Sequence, residues 1–464
     1  MEWSEQLQAA HRGLSPQDLA FREAARRSPE LLRRETFRKL ADDKGFIAGT
    51  LQPWLTFLGP EKLAELSGVS VGLARLLRQV PERVLGNDPV QVHDYYGIET
   101  PDTLALFLGR PNGMDTAIGR GDLIETPEGF RCVEFNFTPN LGGWETASIA
   151  GLHLGIPATA RYLSEHGIRP VYTSTGRKLF VHLIRTALAQ GTCPDGELNV
   201  ALVLPAQMPL DPDVPASPGI VRLREDFAEA FQEAGGRLSG EILPCHFADL
   251  TAVRNYLFLG KARVHAVVEF CDEPTAPTVF RSFKAEKLTL LNGPLRAVLS
   301  SKLNLALLSE SEAAGGVYGP EESAFIRRHV PWTRRVTRGT TPFRGETVAL
   351  PDLLASNREA LVLKEARSTG GRDVALGIYT PEARWEELVR EALDGGGWVV
   401  QEKLESLPYL YQAGDEGAVP HDMIWGPFVF GDEYGGVILR MQPKSVRGAV
   451  NSALGATSGI VIEV

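Results

Sequence analysis

Three patterns in the sequence predict a mixed fold with α/β and α+β portions. Residues 1–90 carry apolar residues at helical spacing, residues 193–295 alternate apolar strands with amphipathic helices, and residues 296–464 alternate strands and helices joined by Gly-rich turns. A chain of 464 residues is too long for one compact core, so we expect two or three subdomains.

The composition of the sequence argues against some classes of binding partner and indicates a cellular compartment. The formal net charge of -10 argues against a general nucleic-acid-binding surface. The four cysteines are far apart and form no Cys-x-x-Cys pair, which is typical of reduced thiols in a cytoplasmic protein. No apolar run approaches the roughly 18 to 20 residues of a membrane span, and the first residues lack the pattern of a secretory signal. We therefore expect a cytoplasmic protein with neither nucleic acid nor membrane as partner.

The first two regions are predicted to be a helical N-terminal portion and a hairpin followed by helices. Helical spacing runs through residues 19–43 and 61–85. Residues 119–137 have the pattern of two short strands joined by a Pro-Glu-Gly turn, and residues 146–192 return to helical spacing. The second region is taken as 91–192.

Residues 193–295 are predicted to form a small open α/β unit. Four apolar segments, at 198–206, 238–245, 264–271 and 288–293, have the pattern of strands. An amphipathic helix separates the first two, and a second helical stretch is predicted between the second and the third. Apolar strands that alternate with helices indicate a mainly parallel sheet.

Residues 296–464 are predicted to form an α+β region with mostly antiparallel strands. A helix near 298–310 is followed by strands at 359–366 and 374–379, which flank a Ser-Thr-Gly-Gly-Arg-Asp turn. A helix near 383–393 comes next. The remaining predicted strands are 398–404, 423–431 and 434–442.

The predicted hairpin has an unusual polar face. Glu134 and Asn136 point to the same side of its second strand, with Arg120 and Asp122 on the first strand. The apolar side chains of the second strand, on the opposite side, are Val133, Phe135 and Phe137. Two carboxylates and an amide suit Mg²⁺, which keeps several waters and takes few protein ligands. The alternative is a cross-strand salt bridge on a wet face.

Three further segments could bind a phosphorylated ligand. Lys364 ends an apolar strand and is followed by the turn 368–371, which offers a charge beside exposed backbone N–H groups; the alternative is a tight hairpin turn with a solvated lysine. The strand end 401–403 could present backbone groups to an adenine edge, or could be an edge strand that runs into a loop. Lys302 lies near the start of a helix, where most lysines are solvated.

Together these segments resemble the ATP-grasp superfamily. In that fold two α+β subdomains hold ATP: two lysines contact the phosphates, a Gly-rich loop closes over them, a strand-end hinge binds adenine, and a Glu-x-Asn strand holds Mg²⁺. The residues that match these roles are Lys302 and Lys364 for the phosphates, Ser368, Thr369, Gly370 and Gly371 for the loop, Gln401, Glu402 and Lys403 for the hinge, and Glu134 with Asn136 for the metal.

The order of these segments resembles the circularly permuted branch, which includes the synthetase domain of glutathionylspermidine synthetase. Here the Glu-x-Asn strand precedes the lysines, whereas in ordinary members it comes last. The permuted branch also carries Arg-x-Asp a dozen residues upstream and a further Arg on a late strand, which Arg120, Asp122 and Arg440 match. The resemblance covers about residues 90–464. It implies that 193–295 is a pre-ATP-grasp-like subdomain.

The resemblance implies an ATP- and Mg²⁺-dependent carboxylate-amine ligase. Such an enzyme makes an amide or peptide bond through an acyl phosphate and releases ADP and phosphate. The implied roles are phosphate binding for Lys302 and Lys364, Mg²⁺ binding for Asp122, Glu134 and Asn136, charge stabilisation for Arg120 and Arg440, and ribose binding for Glu405. Two alternatives stay open, namely an ATP-grasp phosphotransferase that acts on a small molecule and a non-catalytic ATP-binding scaffold.

The segment after Glu-x-Asn departs from the glutathionylspermidine enzymes, which continue there with Ser-containing residues that handle the thiol tripeptide. This chain has Phe-Thr-Pro-Asn-Leu-Gly-Gly-Trp-Glu instead, so the resemblance does not extend to glutathione and spermidine. Asn140, Trp144 and Glu145 are the candidates for substrate contact, although a Trp is more often core than ligand contact. The expected partners are a small-molecule or peptide carboxylate and an amine, and the family also implies a homodimer.

Overall fold

A computed structural model describes residues 4–27, 50–86, 88–98, 115–210, 217–368, 373–413 and 417–464. Its helices are α1 (Glu5–Leu14), α2 (Pro16–Arg27), α3 (Pro60–Leu85), α4 (Pro89–Tyr96), α5 (Thr146–Leu154), α6 (Pro157–Glu165), α7 (Thr175–Gln190), α8 (Pro218–Ala230), α9 (Pro277–Lys284), α10 (Arg296–Leu299), α11 (Leu303–Ala314), α12 (Pro320–His329), α13 (Leu350–Ser356) and α14 (Glu382–Gly395). Its strands are β1 (Thr56–Leu58), β2 (Ile118–Thr126), β3 (Gly129–Asn136), β4 (Val200–Val203), β5 (Ile242–Cys245), β6 (Leu250–Val253), β7 (Tyr256–Leu259), β8 (Ala262–Val264), β9 (Ala266–Glu269), β10 (Thr289–Leu290), β11 (Thr333–Arg335), β12 (Thr340–Phe343), β13 (Glu346–Ala349), β14 (Leu361–Glu365), β15 (Val374–Leu376), β16 (Trp398–Glu402), β17 (Tyr409–Gln412), β18 (Ala418–Phe430), β19 (Glu433–Pro443) and β20 (Thr457–Glu463).

The largest sheet is built from strands that are far apart in the sequence. Its order is β1-β20-β19-β18-β2-β3, and β17 pairs with the first residues of β18. The pairings are antiparallel, except that β1 runs parallel to β20. The N-terminal region, predicted to be helical, therefore also supplies a strand. That strand depends on pairing with the opposite end of the chain, which no local pattern reveals.

The predicted helix over 61–85 is confirmed as α3. It begins at Pro60, whose fixed φ suits a first helical position, and it ends before Gly86, which adopts the left-handed conformation at φ 62°. The predicted helical stretch 19–43 is helical as far as Arg27, and the rest of it lies outside the described residues. α3 packs against β18 and β19.

Residues 193–295 contain the predicted parallel sheet. The strands β10, β9, β4 and β5 lie in that order and all pair parallel. The helix predicted between the first two segments is confirmed as α8, which packs against α7 and β5. The apolar core between the sheet and these helices includes Val200, Leu202 and Phe227.

The second helix predicted in this unit is wrong. The strands β6, β7 and β8 form a three-stranded antiparallel sheet there. Arg254 and Asn255 join β6 to β7 with φ angles of 51° and 67°, the pair of left-handed residues that a tight two-residue hairpin requires. Turn geometry and strand pairing thus outweigh helical propensity in this segment.

A third sheet confirms the antiparallel prediction for the last region. Its order is β11-β16-β14-β15, with all pairings antiparallel. On one face, Leu363 and Val400 pack with Trp385 of α14 in a separate hydrophobic core. Because side chains alternate along a strand, Lys364 and Gln401 lie on the other face, toward the hairpin of β2 and β3.

Two expectations from composition can be compared with the structure. All four cysteines are buried free thiols, which agrees with the prediction from their spacing. No helix in the described part of the chain is both long enough and apolar enough to cross a bilayer.

Candidate active site

The hairpin of β2 and β3 presents the predicted polar face. Arg120 pairs with Asn136 across the two strands, and Asp122 pairs with Glu134. Directly paired residues carry their side chains on the same face of a sheet. The polar residues of two strands therefore form one patch with a cation, two carboxylates and an amide.

A β-bulge in this hairpin changes the position of Val133. The pairing shifts by one residue there, so Val133 has no partner in the ladder. Its carbonyl instead accepts a 2.8 Å hydrogen bond from Nζ of Lys364, and it lines a pocket beside Glu134. The prediction that Val133 shares the buried face of Phe135 and Phe137 is therefore wrong for Val133, because a bulge interrupts strict alternation.

Lys364 is buried at the centre of the site. Its Nζ also donates a 2.7 Å hydrogen bond to Oε1 of Gln401, which is fixed by a 3.0 Å bond from its Nε2 to Oγ1 of Thr333. Burial, opposed by the charge of Glu134 and reinforced by that of Lys302, lowers the pKa of Lys364 from 10.5 to about 8. The lysine is thus a cation held in a site that does not fully compensate its charge.

Lys302 joins the same cluster from the residue before α11. Its backbone N–H donates to the carbonyl of Ala366 at 3.0 Å, its Nζ donates to the carbonyl of Ser368, and its Nζ lies 3.3 Å from Oε1 of Glu134. Only 5% of the residue is exposed, so the solvated alternative is wrong for Lys302. Ser368 begins the predicted Gly-rich turn, whose residues 369–371 lie outside the described part of the chain.

Two buried arginines flank Asp122. Its Oδ1 lies 2.5 Å from Nη2 of Arg440 and 3.4 Å from Nε of Arg120. Burial by itself would raise the pKa of Asp122, but the charges of Arg440 and Arg120 hold the pKa below its usual value. A 2.7 Å hydrogen bond from Arg120 to the carbonyl of Gly142 fixes that guanidinium. Asp122 is therefore ionised and firmly positioned.

Several buried atoms of this trio lack hydrogen-bond partners among the described residues. They are Nε of Arg120, Oδ1 of Asp122, and Nε and Nη2 of Arg440. The short distances to Asp122 are close charge contacts without hydrogen-bond geometry. Buried polar groups are nearly always hydrogen-bonded, and exceptions concentrate where a ligand or ion completes the arrangement.

Two pockets meet at this hairpin. The first pocket has apolar walls from Ile124, Val133, Val362, Val374, Leu376, Met423 and Ile424. Its polar end is formed by Asp122, Glu134, Lys364 and Gln401. Apolar walls that lead to a few convergent polar groups suit a ligand with a planar ring at one end and negative charge at the other.

The predicted adenine hinge lies along the first pocket. Glu402, Lys403 and Glu405 line it, while the side chain of Gln401 belongs to the lysine cluster. The backbone N–H groups of Glu402 and Lys403 donate to neighbouring backbone carbonyls. The carboxylate of Glu405 is exposed and pairs with Lys403.

The second pocket lies on the other side of the hairpin. Asp122 and Glu134 line both pockets. The other polar residues of the second pocket are Arg120, Asn136, Thr138, Asn140, Glu145, Asp272, Arg440, Asn451, Ser452 and Ser458. A group bound in the second pocket would therefore sit next to the polar end of the first.

Trp144 does not line either pocket. It is 9% exposed, its Nε1 donates a 3.1 Å hydrogen bond to the carbonyl of Pro139, and its ring packs against Phe428, with ring centroids 4.8 Å apart. Trp144 therefore matches the alternative of a core residue, because its ring and its N–H group both make contacts in the core. Asn140 and Glu145, from the same segment, do line the second pocket.

Three pocket residues with carboxylate or amide side chains were missed in the sequence. Asp422 of β18 lines the first pocket, Asn451 lines both pockets, and Asp272 lines the second. Only Asp272 had a usable signal: it follows the carboxyl end of the parallel strand β9, where ligands of open α/β sheets commonly bind. The other two come from distant segments that pack beside the hairpin.

The donor set fits Mg²⁺ bound together with a phosphate. Asp122 and Glu134 offer carboxylate oxygens and Asn136 an amide oxygen on one face, and Oδ1 of Asp122 has no hydrogen-bond donor. No group of three or more His, Cys, Asp or Glu suited to hold a metal occurs within the described ranges. A site with two carboxylates that relies on nucleotide phosphates for its other ligands is the usual arrangement for this ion.

Comparison with known proteins supports the fold. No protein-family model matches the sequence, and no curated protein matches it. The chain is similar to a glutathione synthetase-like effector from Globodera pallida in its apo form, with a TM-score of 0.58 and 14% identity over 93% of this chain and 96% of that one. It also matches a candidate gamma-glutamylcysteine synthetase from Methylobacillus flagellatus KT, with a TM-score of 0.41 and 12% identity over 89% and 90% of the two chains. The first likeness shows that this chain has a mixed α/β fold of the kind seen in that synthetase-like protein.

Proposed function

We propose that the protein is an ATP-dependent carboxylate-amine ligase with a circularly permuted ATP-grasp fold. The observation that carries the proposal is the position of Lys364 and Glu134 at the polar end of an apolar-walled pocket, with Nζ of Lys302 3.3 Å from Oε1 of Glu134. A second polar pocket shares Asp122 and Glu134 with the first. Two pockets that share metal-type ligands suit transfer of a phosphoryl group from one bound molecule to another.

In the proposed reaction, an oxygen of the substrate carboxylate attacks the γ-phosphorus of ATP. The bond between that phosphorus and the bridging oxygen breaks, and ADP leaves. An amine nitrogen then attacks the acyl carbon, the carbon–oxygen bond to phosphate breaks, and inorganic phosphate leaves while the nitrogen loses a proton to solvent. Each step needs alignment and neutralised charge rather than covalent help from the protein.

The side chains divide this work between them. Lys302 and Lys364 bind the ATP phosphates, and Arg120 and Arg440 stabilise the charge on the transferred phosphoryl group and on the tetrahedral intermediate. The hinge and Gly-rich-turn residues hold adenine and close over the phosphates, with Glu405 toward the ribose. Mg²⁺ bound by Asp122, Glu134 and Asn136 would supply further neutralisation of the phosphates.

One incubation tests the proposal against the alternatives. The full chain is mixed with ATP, Mg²⁺ and a pool of amino acids, amines and acids, and nucleotides, phosphate and new masses are followed by mass spectrometry. ADP, free phosphate and an amide are expected. A phosphorylated product would favour the phosphotransferase alternative. Nucleotide binding without turnover would favour the scaffold alternative. Release of AMP and pyrophosphate would contradict the acyl-phosphate route.

Nucleotide binding is expected to take up a proton near pH 8.5. The pKa of Lys364 is about 8 without ligand and 10.5 for an ordinary lysine, and a triphosphate beside Nζ favours the charged form. Between pH 8 and 10.5, Lys364 is largely deprotonated in the free protein but protonated in the complex. The Kd for the nucleotide should therefore rise by up to about tenfold per pH unit above pH 8. Calorimetry with a non-hydrolysable ATP analogue in two buffers of different ionisation enthalpy measures the uptake.

Lys364→Arg is the control for this linkage. Arginine stays protonated throughout this range, so the variant should show no uptake at pH 8.5 even if its affinity is lower. Equal heats in both buffers for the wild-type protein would contradict a role for Lys364 at the phosphates.

A further inference from the structure

The second pocket combines two kinds of charge. Arg120 and Arg440 reach it from the strands β2 and β19 of the large sheet. Asn140 and Glu145 reach it from the segment after β3, and Asp272 from the loop after β9 of the α/β unit. The walls of this pocket therefore offer guanidinium groups from the sheet and carboxylates from the loops.

The arginine wall keeps both charge and hydrogen-bonding capacity. Arg120 is 7% exposed and Arg440 is 6% exposed, and the two are paired with the single carboxylate of Asp122. Buried nitrogen atoms of both guanidiniums have no hydrogen-bond partner in the described part of the protein. Such a pair is suited to a carboxylate, which can take charge-assisted hydrogen bonds from both.

The carboxylates of the acidic wall accept hydrogen bonds from neutral groups. Oδ1 of Asp272 accepts a 2.7 Å hydrogen bond from Nδ2 of Asn140, and Oε2 of Glu145 accepts a 3.0 Å bond from the backbone N–H of Gly143. Neither carboxylate lies within ion-pair distance of a Lys, Arg or His side chain among the residues that the structure covers. Each keeps an oxygen available for a cationic ligand.

We propose that the second pocket binds a substrate that carries a carboxylate and a protonated amine in the same molecule. An amino acid, or a peptide with a free amino group, has this chemistry. Arg120 and Arg440 take the carboxylate, and Asp272 and Glu145 take the ammonium group and determine the choice of substrate. The inference rests on the proposed ligase function, in which the carboxylate is the group that becomes activated.

The protonation state of that amine has a consequence for the reaction. An ammonium group held by two carboxylates has no lone pair to attack an acyl carbon. The amine in the second pocket therefore serves recognition, and the attacking amine belongs to the other substrate. The molecule in this pocket is the acyl donor.

Matched ligands test the proposal. The probes are the L-amino acids and glycyl dipeptides in three forms: free, N-acetylated, which removes the positive charge, and as C-terminal amides, which removes the negative charge. Binding to the full chain is measured by calorimetry with and without Mg²⁺ and a non-hydrolysable ATP analogue. At least one free form should bind about tenfold or more tightly than both of its derivatives.

The variant Asp272→Asn tests the contribution of the acidic wall to binding. An amide oxygen can still accept the hydrogen bond from Asn140, so the loop should keep its structure. The variant should lose about tenfold in affinity for the free form and change little for the N-acetyl form. Glu241→Gln, which removes one exposed negative charge from the same α/β unit outside the pocket, should change neither.

Three results would overturn the proposal. They are equal binding of free and N-acetylated probes, an equal effect of Asp272→Asn on both forms, and no binding of any amine-bearing probe. Failure of the ligase proposal looks different: the incubation with ATP and Mg²⁺ would yield no amide together with ADP and phosphate, whereas the preference for free over N-acetylated probes is a binding result that is also measured without nucleotide.

Discussion

Replacing Glu134 with alanine is expected to reduce Mg²⁺-dependent ATP turnover by about 100-fold or more, the usual effect of removing one charge-positioning group from a phosphoryl-transfer or acyl-transfer site. Glu134 lines both pockets and lies 3.3 Å from Nζ of Lys302, so its loss removes a carboxylate from the shared polar end. The side chain is 22% exposed, and its ion pair contributes about 1 kcal/mol or less to the free energy of unfolding. Turnover is followed by ADP release, and stability by urea denaturation.

Two variants sharpen this test. Glu134→Gln keeps the shape of the side chain and removes its charge, so it should lose activity nearly as completely. Glu128→Ala changes an exposed carboxylate in the turn of the same hairpin and should leave activity unchanged. Full activity in Glu134→Ala would show that the polar face is an ordinary salt-bridged surface.

Replacing Lys364 with methionine is expected to weaken nucleotide binding by about 100-fold or more while leaving the free energy of unfolding unchanged or higher. Loss of a buried charged partner of a phosphate commonly costs 2 to 5 kcal/mol in binding, as an order of magnitude. The depressed pKa of Lys364, about 8 against 10.5, corresponds to about 3 kcal/mol of unfavourable charge burial at neutral pH. Methionine removes that cost, although the hydrogen bonds to Val133 and Gln401 are lost as well.

The pH dependence of stability gives an independent check on Lys364. The unfolded chain keeps the lysine proton up to about pH 10.5, whereas the folded protein releases it near pH 8. The cost of charge burial is therefore fully present below pH 8 and is relieved as the pH rises toward 10.5. The wild-type protein should gain stability across that interval relative to Lys364→Met.

An exposed lysine serves as the control. Lys261→Met, in the turn between β7 and β8, should alter neither nucleotide affinity nor stability. Denaturation at pH 7 and titration with an ATP analogue report the two quantities separately. A fall of more than about 2 kcal/mol in the free energy of unfolding of Lys364→Met would mean that the lysine is structural rather than held for a ligand.

The sequence determined the parts of this protein that depend on neighbouring residues. The period-two alternation and the turn of residues 118–136 predicted the hairpin, and the observed register places Arg120 opposite Asn136 and Asp122 opposite Glu134. The parallel unit and the antiparallel sheet with Lys364 were predicted in the same way. Turn chemistry and side-chain periodicity operate over a few residues, so one sequence carries their full signal.

Only the tertiary structure decided which of these residues meet. Lys302 has the local pattern of a solvated lysine at a helix start, yet the distant segment 366–368 covers it. The bulge at Val133 turns a carbonyl toward Lys364, and Arg440 reaches Asp122 from more than three hundred positions along the chain. Burial of charge and the desolvation that shifts a pKa depend on what surrounds a side chain in space, and a local sequence pattern contains no record of it.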